Sequence, residues 1–316
     1  MGSKPAPRSA AIRLAVNRIP AVLGRRLLHS RRSRLLVCLA LAALALLACA
    51  AGASASAIAP EDGGSPNADA IHSLYWYVMI VAIVVFLGVE GALLYSLVKF
   101  RARKGAVPAQ IRGNTRLEIG WTVGAALILV VLAVLTFATL PDIRNPPDSD
   151  ANGLRLAAGP TERLPPNGKS LNICVNGQQY IWRYTYTPDC KNSPLDAPFS
   201  YEEMTVPVDT TVTLTINAQD VAHSWWIPKL GGKFDAIPGY TNYTWFKIPG
   251  KLAGTTFTGQ CAELCGRNHA NMTARVRAVT PAQYEQFIQN RKADLKAGNA
   301  AAAVARKQLQ SQPGNP

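Results

Sequence analysis

The chain has 316 residues, more than one hydrophobic core usually organises, so segments of different character are expected. Its 33 Lys and Arg against 19 Asp and Glu give a formal charge of +14, which suits a nucleic acid or a membrane surface as partner. The placement of that charge decides: residues 1–34 hold nine basic residues and no acid, residues 99–116 hold six more and no acid, and residues 142–290 carry 13 of each sign. A folded domain in the last stretch is neutral, which excludes a nucleic-acid footprint, and six Cys with four His exclude a disulfide-rich scaffold and a multi-zinc protein.

In chain order, the apolar run at 35–52 (LLVCLALAALALLACAAG) follows the Arg-rich start and precedes small residues, the pattern of a secretory leader over residues 1–57. An uncleaved anchor and lipidation at Cys49 are the alternatives. A short exported segment, 58–73, leads to a two-helix transmembrane hairpin over 74–140, its apolar runs 74–98 and 120–140 each long enough to cross a bilayer. Tyr75, Trp76 and Tyr77 suit one interface, and the basic loop 99–116 between the runs is cytoplasmic by the positive-inside rule. Everything after Leu140 is therefore outside, the topology an exporting leader also requires. Glu90 lies about 13 Å of helical rise before Lys99, deep in the first run. Its plain reading is a hydrogen bond to a neighbouring helix. Glu118 stands at the cytoplasmic start of the second run, where the helix dipole favours a carboxylate.

Residues 141–168, rich in Pro, Asp, Asn and Gly, read as a linker. From 169 to 290 short alternating segments are broken by Gly, Pro and Asn. TVTLTIN at 211–217 puts Val212, Leu214 and Ile216 on one face, and MTARVRAV at 272–279 puts Ala274, Val276 and Ala278 on one face. Their number and spacing predict an antiparallel β-sandwich or barrel. The tail, 291–316, is polar and Ala-rich, a loose helix or disordered. Cys174 and Cys190 are too far apart to bridge if 173–186 is one extended strand, and a turn near Tyr180 would bring them within reach.

The stretch 259–272, GQCAELCGRNHANM, places Cys261, Cys265, His269 and Met272 within twelve residues. Thiolate and thioether together favour copper over structural zinc. A Cys261–Cys265 disulfide leaves His269 and Met272 unexplained, and a mononuclear blue-copper site leaves one Cys over. Two bridging thiolates with His at one end and Met nearby suit two copper ions, short of one imidazole. His29 and His72 lie in the leader and at the membrane edge, so His223, in DVAHSWWIP, is the remaining source. Trp225 and Trp226 beside it could bury the site.

With DVAHSW at 220–225, FDAIPG at 234–239 and this Cys/His/Met motif, the chain resembles cytochrome c oxidase subunit II over roughly residues 70–285. The resemblance implies a membrane hairpin plus a cupredoxin-like Greek-key sandwich in a bacterial plasma membrane, the sandwich on the outer face. It implies a dinuclear copper A centre held by His223, Cys261, Cys265, His269, Met272 and the backbone carbonyl of Glu263, with the Glu263 side chain on a Mg or Mn ion shared with subunit I. The implied partners are subunit I, other oxidase subunits, lipid and cytochrome c or a cytochrome c-containing complex. Glu118 falls where the family places a Glu at a proton-uptake path of a proton-pumping enzyme. Asp220 suits support of a ligand or a solvated turn.

The sequence departs from the family at GQQYIWRY, 177–184, where Tyr180 stands in place of the electron-accepting Trp and Trp182 keeps the second aromatic. With no acidic field on the domain, a tethered donor or a donor within a larger assembly is expected. The absence of CxxCH means this chain carries no haem c of its own. A quinol oxidase subunit II would lack the copper ligands. A membrane-anchored copper-delivery protein would need an open, exchangeable site.

Overall fold

A computed structural model describes residues 58–102, 105, 107, 109–154, 164–190 and 197–311. The leader expected over 1–57, Cys38 and Cys49 included, lies outside the described residues. Two long helices come first, α1 (Pro66–Lys99) and α2 (Thr115–Arg144), and both are long and apolar enough to cross a membrane. They pack on each other, and their apolar side chains are otherwise open, as in Phe86, Leu97, Leu129 and Phe137. Each helix exceeds its apolar run. α1 begins eight residues early, with Ser65 at its N-cap and Pro66 in its first turn, where the missing N–H costs nothing. α2 begins at Thr115 because the Asn114 side chain accepts from Leu117 N–H.

Ten strands come after the helices: β1 (Leu171–Gln178), β2 (Ile181–Thr185), β3 (Phe199–Tyr201), β4 (Glu203–Pro207), β5 (Thr211–Ala218), β6 (His223–Trp226), β7 (Phe234–Ala236), β8 (Asn242–Lys247), β9 (Thr256–Cys261) and β10 (Thr273–Val279). They form two five-stranded sheets, ordered β3-β2-β1-β5-β8 and β4-β10-β9-β6-β7. The sandwich is not purely antiparallel: β1 runs parallel to β5 and β10 parallel to β4. Strands distant in sequence lie side by side through crossovers, and a parallel neighbour needs such a long connection. Period-2 alternation builds the core from both sheets. Ile173, Val175, Trp182, Tyr184, Val212, Leu214, Ile216 and Phe246 from the first meet Met204, Val206, Trp225, Phe257, Ala274, Val276 and Ala278 from the second, all buried.

The outer face of β5 is buried too, although its Thr residues read as solvent-facing. The Thr211 hydroxyl donates to the Pro147 carbonyl, and its N–H donates to Ser149 Oγ. Thr213 and Thr215 both donate to Asn172 Oδ1. Hydroxyls satisfied in this way can be buried at little cost.

β1 and β2 are a hairpin turning at Gln179–Tyr180, which pairs Cys174 with Thr185. The chain then returns so that Cys174 and Cys190 form a disulfide, with their Cα atoms 5.5 Å apart. The turn removes the obstacle that one extended strand would have posed. A third helix, α3 (Pro281–Gln310), starts with a capping box of Thr280 and Gln283 and buries Tyr284 against the sandwich. Most of the tail therefore continues this helix.

Candidate metal centre

Two connections at one end of the sandwich carry the site. The first runs from β5 through Asp220 to His223 at the start of β6, and the second runs from Cys261 at the end of β9 to Met272 just before β10. Trp225 pairs with Cys261 in register, and Ala262 N–H donates to the Ser224 carbonyl, so the two connections are fixed side by side. The longer loop is closed at its base by Cys261 N–H donating to the Met272 carbonyl at 2.9 Å. Its tip, including Leu264 and Arg267, faces solvent while the sulfur atoms point inward.

The donor atoms converge. Cys261 Sγ and Cys265 Sγ are 4.0 Å apart, and His223 Nδ1 is 3.9 Å from Cys261 Sγ. His269 Nδ1 lies 3.5 Å and Met272 Sδ 3.8 Å from Cys265 Sγ. The Glu263 carbonyl oxygen is 3.2 Å from Cys261 Sγ. His223, Cys261, Cys265 and Met272 are all buried, His269 is half-buried, and the Glu263 side chain is exposed. His223, Cys261 and Cys265 alone, with ligand atoms within 4.8 Å of one another, could hold a metal ion. Burial, reinforced by the neighbouring Cys261, pushes the Cys265 thiol up to about 11. At neutral pH the thiol therefore keeps its proton, and a metal ion binding there would have to displace it.

Residues around the donors orient them. His223 Nε2 is 2.9 Å from Asp220 Oδ1, and because a carboxylate only accepts, Nε2 carries the proton of the neutral ring and Nδ1 turns its lone pair toward the sulfurs. Burial would raise the Asp220 carboxyl, but hydrogen bonds from Gln179 N–H, His223 and Val221 N–H outweigh it and hold the group below the usual carboxylate range. Asp220 therefore stabilises the fold above its unfolded pKa, and that stabilisation fades as pH falls through the lower folded value. The Gln179 side-chain amide also donates to the Cys265 carbonyl at 2.6 Å, so the β1–β2 turn grips both connections.

Trp182, fully buried, sets its edge against the His223 ring, with centroids 5.9 Å apart. Trp182 thus packs directly on this imidazole. Trp225 stacks on Phe246 and donates to Tyr184 Oη, while Trp226 is half-buried under the Lys233 ammonium. Tyr180 is half-buried at the rim, its hydroxyl beside Gly266 of the longer loop. Glu118 is remote from this site, in the first turn of α2, where its carboxylate accepts from Asn114 N–H. Glu90 is half-buried within α1. Sequence reasoning missed Gln179 and Gly177, whose one available signal was their place in the three residues before Tyr180.

A Cβ on Gly177 would lie 3.0 Å from His223 Cδ2 and 3.1 Å from Trp182 Cζ3, and both rings are fully buried. Gly177→Ala is accordingly expected to cost about 1–3 kcal/mol in denaturant unfolding, the usual penalty of overpacking. Unchanged stability would show that the rings can yield.

Residues 171–279 match the family profile described as cytochrome C oxidase subunit II, periplasmic domain, and residues 53–139 the one described as cytochrome C oxidase subunit II, transmembrane domain. The chain is 30% identical over 239 residues to a probable cytochrome c oxidase subunit 2 of Rickettsia bellii (strain RML369-C), covering 71% of this chain and 80% of that one. It is 27% identical over 268 residues to cytochrome c oxidase subunit 2 of Cereibacter sphaeroides, covering 73% and 81%. Among solved structures, the periplasmic domain of subunit II of cytochrome oxidase of Bradyrhizobium japonicum matches at 30% identity, covering 40% of this chain and 95% of that one with a TM-score of 0.35. The architecture is that of a membrane-anchored, cupredoxin-like periplasmic domain on a helical hairpin. The chain belongs to the cytochrome c oxidase subunit II family. It is thus one chain of an oxidase complex, with partner subunits such as subunit I.

Proposed function

We propose that the chain accepts electrons from cytochrome c outside the membrane through a dinuclear copper A centre and passes them to subunit I for oxygen reduction in a proton-pumping oxidase. The observation that carries this is the convergence of two thiols, two imidazoles, a thioether and a carbonyl on one small buried volume. The soft sulfur donors fit copper, and His223, Cys261, Glu263 (through its carbonyl), Cys265, His269 and Met272 would hold it. Two copper ions held by these residues would supply a one-electron carrier.

The remaining roles belong to the protein. Asp220 sets the tautomer of His223, the β1–β2 turn holds the loop, and burial keeps water from the sulfurs. Enclosure argues against a copper-delivery protein, and the complete donor set argues against a quinol oxidase subunit. We assign Tyr180 and Trp182 to electron acceptance, Glu118 to a proton path, and the exposed Glu263 side chain to a Mg or Mn ion shared with subunit I. The division into a leader (1–57), a hairpin in the bacterial plasma membrane with lipid around it (74–140), a linker (141–168) and a copper domain (169–290) completes this reading.

Electron paramagnetic resonance of the copper-loaded chain tests it. Hyperfine structure of one electron shared by two equivalent copper nuclei is expected, and a single-copper signal overturns it. Asp220→Asn is expected to weaken copper retention about 10–100-fold, measured by competition with a chelator, because it loosens the hold on the His223 ring. Retention equal to that of the unaltered chain would deny Asp220 this role.

A further inference from the structure

Sheet edges leave backbone groups to be satisfied, and β8 is the edge strand of its sheet. Its partners on that edge are side chains from the start of α1. The Asn67 amide donates to the Trp245 carbonyl at 2.8 Å, and Lys247 N–H donates to Ser65 Oγ at 3.0 Å. These are outward-facing groups two residues apart, those an added strand would take, and here Ser65 and Asn67 stand in for it. The same two residues of β8 also reach the second helix and the segment just beyond its end. Trp245 Nε1 donates to the Ile143 carbonyl in the last turn of α2, and the Lys247 ammonium binds the Asp148 carbonyl and pairs with Asp150.

Ser65, Asn67 and Trp245 are at most 4% exposed, and Ser65 Oγ donates to Asn67 Oδ1, which also accepts from Ala68 N–H. Buried polar networks satisfied this fully specify one geometry. β8 therefore grips the outer ends of both spanning helices at once. From β8 the ladder runs through β5 to β1, whose Gly177 abuts the His223 ring, and β5 itself leads to Asp220. A single sheet connects the clasp to the metal site.

We infer that Trp245, with Asn67, Ser65 and Lys247, is a positioning device that sets the height and orientation of the metal site over the membrane, and so its distance to the acceptor in the partner subunit. This rests on the electron-transfer reading above. Tunnelling rates fall steeply with separation, so a domain free to rock on its helices would transfer slowly even with every ligand in place. The copper ligands set whether an electron can be held, and the clasp sets where it is delivered.

The test uses Asn67→Ala, which frees the Trp245 carbonyl, and Trp245→Phe, which keeps an aromatic ring and removes the bond to Ile143. In the full chain in lipid nanodiscs, pulsed electron resonance between oxime-linked nitroxides at Leu129 and Lys251 reads the helix-to-domain separation without copper. A single narrow distribution is expected for the unaltered chain and a broadened one for both variants. In the assembled oxidase, electron transfer from the copper site after photoreduction is expected to slow several-fold while the two-copper spectrum stays unchanged. Unaltered width and rate in both variants overturn the inference. Failure of the unaltered chain to show a two-copper spectrum would instead sink the electron-transfer reading, and the nitroxide distances would still judge the clasp.

Discussion

Copper-loaded protein carrying Cys265→Ser is expected to lose the two-copper spectrum altogether, and electron transfer through the subunit with it. Cys265 Sγ lies within 4.0 Å of three other donors, Cys261 Sγ, His269 Nδ1 and Met272 Sδ. A hydroxyl there is a hard, poorly bridging donor, and the four remaining side chains cannot join two ions across it. Loss of copper affinity should exceed the roughly 100-fold upper range for supporting residues. Serine is slightly smaller and remains compatible with the loop, whose base is closed by backbone, so thermal unfolding of the copper-free protein should barely change. A variant that keeps a spectrum of two equivalent coppers would show that Cys265 is no bridge.

Removing the Cys174–Cys190 disulfide by a double substitution to Ser should be the largest loss of stability from a change remote from the metal. The bond closes a loop of 16 residues in sequence separation, for which chain entropy gives roughly 3 kcal/mol. For a domain of this size that corresponds to a fall in Tm of roughly 10 °C, read by calorimetry of the copper-free protein. The closed loop contains β2 and hence Trp182, the ring against His223, so copper retention should also weaken. A Tm within about 2 °C of the unaltered protein would mean that the hairpin pairing alone holds this region.

The hairpin, the sandwich and the cluster of sulfur and imidazole donors were readable because each left a local trace. The two spans are long apolar runs, the strands alternate, and four donors fall within twelve residues. What escaped was set by tertiary neighbours. Thr211, Thr213 and Thr215 look solvent-facing until residues 147–149 and Asn172 are seen to cover and satisfy them. Gln179 is an ordinary amide in sequence, and its grip on Cys265 and Asp220 spans 86 and 41 residues. The reach of α1 back to Pro66 depends on Ser65 and Asn67 finding β8, 182 and 178 residues on. The parallel pairings were invisible for the same reason: alternation reports which face is buried and nothing of a neighbour's direction.

The backbone bond between Cys261 and Met272 has a consequence for how the site fills. The ends of this loop are joined by that bond, so the fold itself meets much of the conformational entropy of bringing Cys261 and Met272 together. Capture of an ion would then have only to expel protons and settle side chains, and the same enclosure would make the cavity resist reshaping when the charge held there changes. The loop behaves as a cassette between two fixed posts, whose interior could be exchanged for a segment of equal length with a different donor pattern while the sandwich beneath it stays as it is.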